Sequence, residues 1–170
     1  FTFAAMNPLQ PAVILAIESS CDETSASICS NGSILSNRIA TQSVHESYGG
    51  VVHELASRAH MQNIVPVVDL ALAEAYPNLA PAQRWNQLSA IACTEAPGLI
   101  GSLLVGVQFA KSLALARNLP LIAVHHMQAH VLANLIGPNP PSFPFLCLTV
   151  SGGHTQIILA KAPLYLEILG

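Results

Sequence analysis

The dipeptide Asn31-Gly32, set between apolar runs at residues 25–29 and 34–39, constrains this chain more than any other feature. Such a two-residue connection favours a type I′ turn, which needs positive φ at both positions and matches the twist of two antiparallel strands. Another apolar run at residues 13–17 precedes the pair, so the chain opens as a three-stranded antiparallel unit. Over residues 51–76 the apolar spacing becomes helical, and Pro66 divides that stretch into two helices or kinks one. Residues 88–94 read as a strand. Residues 101–117 read as a helix entered through Pro97-Gly98 and left through Asn118-Leu119-Pro120. A strand at residues 121–124 and a further helix complete the order βββαβαβα, an α/β lobe.

That last helix carries His125-His126-Met127-Gln128-Ala129-His130. One helical turn separates His126 from His130, so both imidazoles project from the same face and one divalent metal ion can bridge them. A hydrogen-bonded or solvated histidine pair is the plainer alternative. Two nitrogen ligands suit zinc or ferrous iron, and either ion needs further ligands from elsewhere. The pair sits at a strand-to-helix junction, and open α/β sheets bind ligands at the carboxyl ends of their strands.

Beyond a Pro-rich stretch, apolar runs at residues 145–150 and 155–160 flank the turn Ser151-Gly152-Gly153-His154. The arrangement repeats that of the first two strands, which flank Glu18-Ser19-Ser20-Cys21-Asp22-Glu23-Thr24. Hydroxyls and backbone N–H groups in such turns can hold a phosphate, and Asp22 and Glu23 can hold a cation or polar substrate atoms; ordinary hairpin turns are the alternative. A third turn, residues 94–102, leads glycines into a helix N-terminus, where amides favour anions. The expected organisation is a leader without structure at residues 1–11, a first lobe at 12–137, a Pro-rich link at 138–144, and the opening of a second, truncated lobe at 145–170.

With 52% hydrophobic and 9% charged residues among 170, the chain can bury a sizeable core. Six Lys plus Arg against nine Asp plus Glu give a net charge of −3, too little positive charge to grip a nucleic acid unaided. Charged, His or Pro residues interrupt every apolar run before the roughly 18 residues a bilayer requires, so no membrane association is expected. Phe1 to Ala5 is too short for a signal peptide. Cys21, Cys29, Cys93 and Cys147 lack C-x-x-C spacing and lie in or beside apolar runs, which reads as buried reduced thiols in a cytoplasmic protein. His45, His53 and His60 are irregularly spaced and read as surface or capping residues, while Lys111 and Arg117 read as a solvated helix face.

The stretches IESSCDETS (17–25), YGGVVHELASRAH (48–60), PGLIGSLLVG (97–106), HHMQAH (125–130) and TVSGGHT (149–155) together resemble the amino-terminal half of the TsaD family, which makes threonylcarbamoyladenosine in tRNA. The resemblance implies an actin-like ATPase, ribonuclease H-like fold. It implies metal-assisted transfer of threonylcarbamoyl from threonylcarbamoyl-AMP to the N6 amine of the adenosine next to the anticodon. By position, His126 and His130 match the metal ligands, with iron implied in preference to zinc. Thr149, Val150, Ser151, Gly152 and Gly153 match the substrate-binding loop, and Asp22 and Glu23 match active-site acids. A nucleotide ligand, a tRNA substrate and partner subunits of a modification complex are implied as well. The remaining metal ligand, an Asp, is expected outside this chain. Departures occur at Gln128, Ala96 and His53, where the family usually has Glu, Gly and Pro. A non-catalytic scaffold subunit of the same complex is the alternative.

Overall fold

The computed structural model describes residues 12–42, 49–151, 153 and 155–170. The expected leader at residues 1–11, His45, Gly152 and His154 lie outside these. Strands β1 (Val13–Glu18), β2 (Glu23–Ser30) and β3 (Ser33–Thr41) form the antiparallel opening. The turn between β2 and β3 has φ of 48° at Asn31 and 81° at Gly32, the two positive values its sequence demands. The Asn31 side chain also accepts a hydrogen bond from the Ala12 amide at 3.0 Å, fixing the start of β1.

One helix, α1 (His53–Ala75), then runs through Pro66 rather than dividing there. Its buried residues Ala56, His60, Ile64, Val67, Val68, Ala71 and Leu72 keep a 3.6-residue period, while Pro66 is exposed. Burial of this stripe against β2 and β3 outweighs the one backbone hydrogen bond that Pro66 cannot donate. After a short helix, α2 (Pro81–Trp85), come β4 (Ala90–Ala96), α3 (Ile100–Arg117) and β5 (Leu121–His125). The sheet order is β3-β2-β1-β4-β5, with β1 antiparallel to β2 and parallel to β4 in the register Ile14↔Ala90 to Ile17↔Cys93.

Along the chain the order is the expected βββαβαβα, with α2 added. Leu15, Ile28 and Ile91 of the sheet and Val68 and Leu72 of α1 form the centre of the core, joined by Ala110 and Ala114 of α3. By length and composition α3 is the one described helix long and apolar enough to cross a membrane, although Lys111 interrupts its apolar run as expected. Its contacts with α1 and β4 give that apolar content a packing role.

The chain divides into two compact units, one ending at Val124 and one spanning His125–Gly170. The division falls ahead of the His-bearing helix, whereas the sequence suggested the Pro-rich link. In the second unit, α4 (His126–Leu132) and a 3-10 turn (Ala133–Leu135) are followed by β6 (Phe145–Val150), β7 (Thr155–Ala162) and β8 (Tyr165–Ile168). These three strands form an antiparallel sheet in the order β6-β7-β8. Val131 of α4 packs with Ile158 and Ala160, and with the half-buried Phe145 and Cys147. Leu146, Leu148 and Val150, alternating with those inward residues, are all more than 60% exposed.

Candidate functional site

In the first unit, nearly every residue of the turn after β1 is anchored. Glu18 accepts hydrogen bonds from the Ser20 amide and from the Thr94 hydroxyl at the end of β4, each at 2.5 Å. Ser19 donates its hydroxyl to the Ser102 carbonyl in the first turn of α3 at 2.9 Å, and the Ser20 carbonyl accepts from the Leu99 amide at 2.7 Å. Gly98 permits this approach, because a Cβ there would lie 2.5 Å from the Ser20 carbonyl oxygen. Gly106 is equally constrained, since a Cβ at that position would collide with Ser19 Oγ. The third glycine-bearing turn therefore packs directly on the acidic turn. Ala96 needs no left-handed backbone, because Asn31 and Asn118 are the non-glycine residues with positive φ among those described.

His60 of α1 completes the anchoring. It is fully buried, with Nδ1 at 2.8 Å from Thr24 Oγ1 and Nε2 at 3.0 Å from the Cys21 carbonyl oxygen. The sequence reading as a surface or capping residue is therefore corrected. Its place between Ala56 and Ile64 on the apolar stripe is the signal that could have shown this. Glu18 and Thr94 were likewise not singled out. Among His53, Lys111 and Arg117 the exposed reading holds, and the Arg117 guanidinium lies 5.0 Å from the Trp85 ring centre.

Asp22 is half-buried and Glu23 exposed, with Thr41 donating its hydroxyl to Glu23 at 3.4 Å. Cys21 is exposed rather than buried. Its thiol is nonetheless pushed above the ordinary cysteine value, first by the partial loss of water around the sulfur and next by the neighbouring Asp22 carboxylate. A neutral thiol is a poor nucleophile. All four cysteines are free, and of them only Cys93 is fully buried.

In the second unit, α4 buries Met127 and Val131 and carries His126 and His130 on the adjacent, more exposed face. Their Nε2 atoms are 3.0 Å apart, with rings at 85° to one another. Metal–nitrogen bonds of about 2.1 Å at angles of about 90 to 109° would set two nitrogens roughly 3.0 to 3.4 Å apart, so the donor set fits an ion. A hydrogen bond between the rings fits the same separation. No cluster of three potential ligands occurs among the described residues, and an ion here would need others. Thr149 is buried and its hydroxyl has no hydrogen-bond partner, whereas Val150, Ser151 and Gly153 are exposed. Of the expected substrate loop, then, the Thr149 hydroxyl is withdrawn from the surface, while Val150, Ser151 and Gly153 reach it.

The family model described as TsaD, tRNA N6-adenosine threonylcarbamoyltransferase, matches residues 33–170. The chain belongs to the TsaD family. Curated relatives of that description include proteins of Riemerella anatipestifer, 56% identical over 95% of this chain, and Phocaeicola vulgatus, 58% identical over 93%. The chain spans about half the length of these relatives, 47% and 46% respectively. Among solved structures, YeaZ from Pseudomonas aeruginosa is similar with a TM-score of 0.56 at 19% identity, over 93% of this chain and 67% of that one. That likeness concerns the fold alone.

Proposed function

We propose that this TsaD-family chain contributes the first lobe of a tRNA N6-adenosine threonylcarbamoyltransferase. The reading rests on the family match over residues 33–170. Threonylcarbamoyl-AMP is a mixed anhydride and already activated. The N6 amine of the tRNA adenosine forms a bond to the carbamoyl carbon, the carbon–oxygen bond to phosphate breaks, and AMP leaves with its electron pair. Asp22 or Glu23 orients the amine and accepts its proton. No covalent nucleophile is needed, in keeping with the raised Cys21 thiol.

His126 and His130 would hold a divalent metal, iron in preference to zinc, through Nε2, and the ion would supply Lewis-acid polarisation to the departing phosphate. Backbone groups of Thr149 and Val150, with Ser151, Gly152 and Gly153, would bind the donor nucleotide. With a net charge of −3, the chain leaves most of the grip on tRNA to other lobes or partner subunits of the complex. We place the protein in the cytoplasm, where its tRNA substrate is. The intact histidine pair favours an enzyme over a scaffold, which has no use for converging imidazoles. The test is to combine the complete gene product with partner proteins, ATP, threonine, bicarbonate and tRNA. Threonylcarbamoyladenosine should appear in digested tRNA, and its absence would overturn the reading.

A further inference from the structure

We propose that His60 is a positioning residue that aims Asp22 and Glu23, an inference resting on the reading of those acids as the reacting groups. A carbonyl oxygen only accepts, so Nε2 of His60 is the donor to Cys21, and in the neutral ring Nδ1 accepts the Thr24 hydroxyl proton. The two anchor points, Cys21 and Thr24, directly flank the two acids. A trans peptide directs its C=O and N–H oppositely, so holding the Cys21 carbonyl toward α1 points the Asp22 amide away from that helix. Thr24 is buried against α1 while its β2 neighbour Glu23 is exposed, and the alternation of a strand directs Glu23 the other way. One side chain on α1 thus fixes the backbone on either side of both acids and sends Glu23 away from that helix.

Burying an imidazole at this position is costly unless both nitrogens are paired, and a leucine would fill an apolar stripe equally well. The choice of histidine is explained by the two bonds it makes to the turn. Glu18 holds the same segment from the β1 side through the Ser20 amide, so removing His60 should loosen the turn without unfolding the lobe.

The experiment compares His60→Leu, which keeps bulk and loses both bonds, with His60→Gln, whose amide can both donate and accept. Both variants are made in the complete gene product and assayed with its partner proteins. His60→Leu should lower kcat roughly 10- to 100-fold, as expected for misplaced reacting groups, while KM for tRNA stays within about twofold. Hydrogen exchange should quicken in peptides covering residues 19–24 and not elsewhere, and His60→Gln should restore most of kcat. Unchanged exchange at residues 19–24, unchanged kcat despite faster exchange, or equal losses in both variants that follow the melting temperature would overturn the proposal. If the unaltered protein transfers nothing, the functional reading falls by itself. The exchange comparison then still decides whether His60 holds the turn, with faster exchange supporting the clamp and unchanged exchange overturning it.

Discussion

At the scale of single residues, the acidic turn is defined by how closely its neighbours approach. Gly98 lets the entry to α3 reach the Ser20 carbonyl, so Gly98→Ala should force that contact apart and cost about 1 to 3 kcal/mol in denaturant unfolding. Unfolding within about 0.5 kcal/mol of the parent would show the turn to be more yielding than its packing implies. The Cys21 thiol, raised by burial and by Asp22, is mostly neutral at pH 7 and loses its proton only above the ordinary value for cysteine. Alkylation of the Cys21 peptide should therefore be slower in the folded chain than in urea near pH 8.5, and Cys21→Ala should leave substantial transfer in the complete gene product. Fast alkylation at pH 7 would point to a thiolate and reopen a covalent route. Cys21 and His60 also mark what the sequence hid. An apolar neighbourhood along the chain suggests a buried Cys21, but the residue occupies a turn, while the burial of His60 shows in its position on a helical stripe and not in its spacing from other histidines.

At the scale of elements, much was legible because local chemistry and tertiary packing agree. Asn31-Gly32 dictates its hairpin, and Asn118 ends α3 in the left-handed conformation, φ 51°, with Pro120 beyond it. Pro66 was ambiguous because a proline inside a helical pattern can break or merely interrupt it, and only the partners of the buried stripe decide. The structure makes α1 continuous, so Pro66→Ala should raise stability. An interior proline costs about 3 kcal/mol in a helix, and its stiffening of the unfolded chain offsets only about 1 kcal/mol of that. A lower melting temperature for Pro66→Ala would mean that Pro66 makes contacts outweighing its missing hydrogen bond. The pairing of β1 with β4 and the packing of the residue 94–102 turn on the residue 19–24 turn could not be read locally. Both depend on contacts between segments more than seventy residues apart.

At the scale of the whole molecule, the second unit leaves Leu146, Leu148 and Val150 exposed on one face of its sheet. Contiguous apolar surface of this kind promotes association. The chain by itself should self-associate at micromolar concentration, and the pair Leu146→Lys and Leu148→Glu should reduce that association in sedimentation velocity without lowering the melting temperature. A monodisperse parent chain would contradict this. The converging imidazoles of His126 and His130 carry the proposed threonylcarbamoyl transfer. Its most direct test is one paired measurement on the complete gene product with its partner proteins, namely bound metal by elemental analysis and threonylcarbamoyladenosine in digested tRNA by mass spectrometry. His126→Ala and His130→Ala should each lose metal and modified nucleoside together, and undiminished threonylcarbamoyladenosine from either variant would contradict the account.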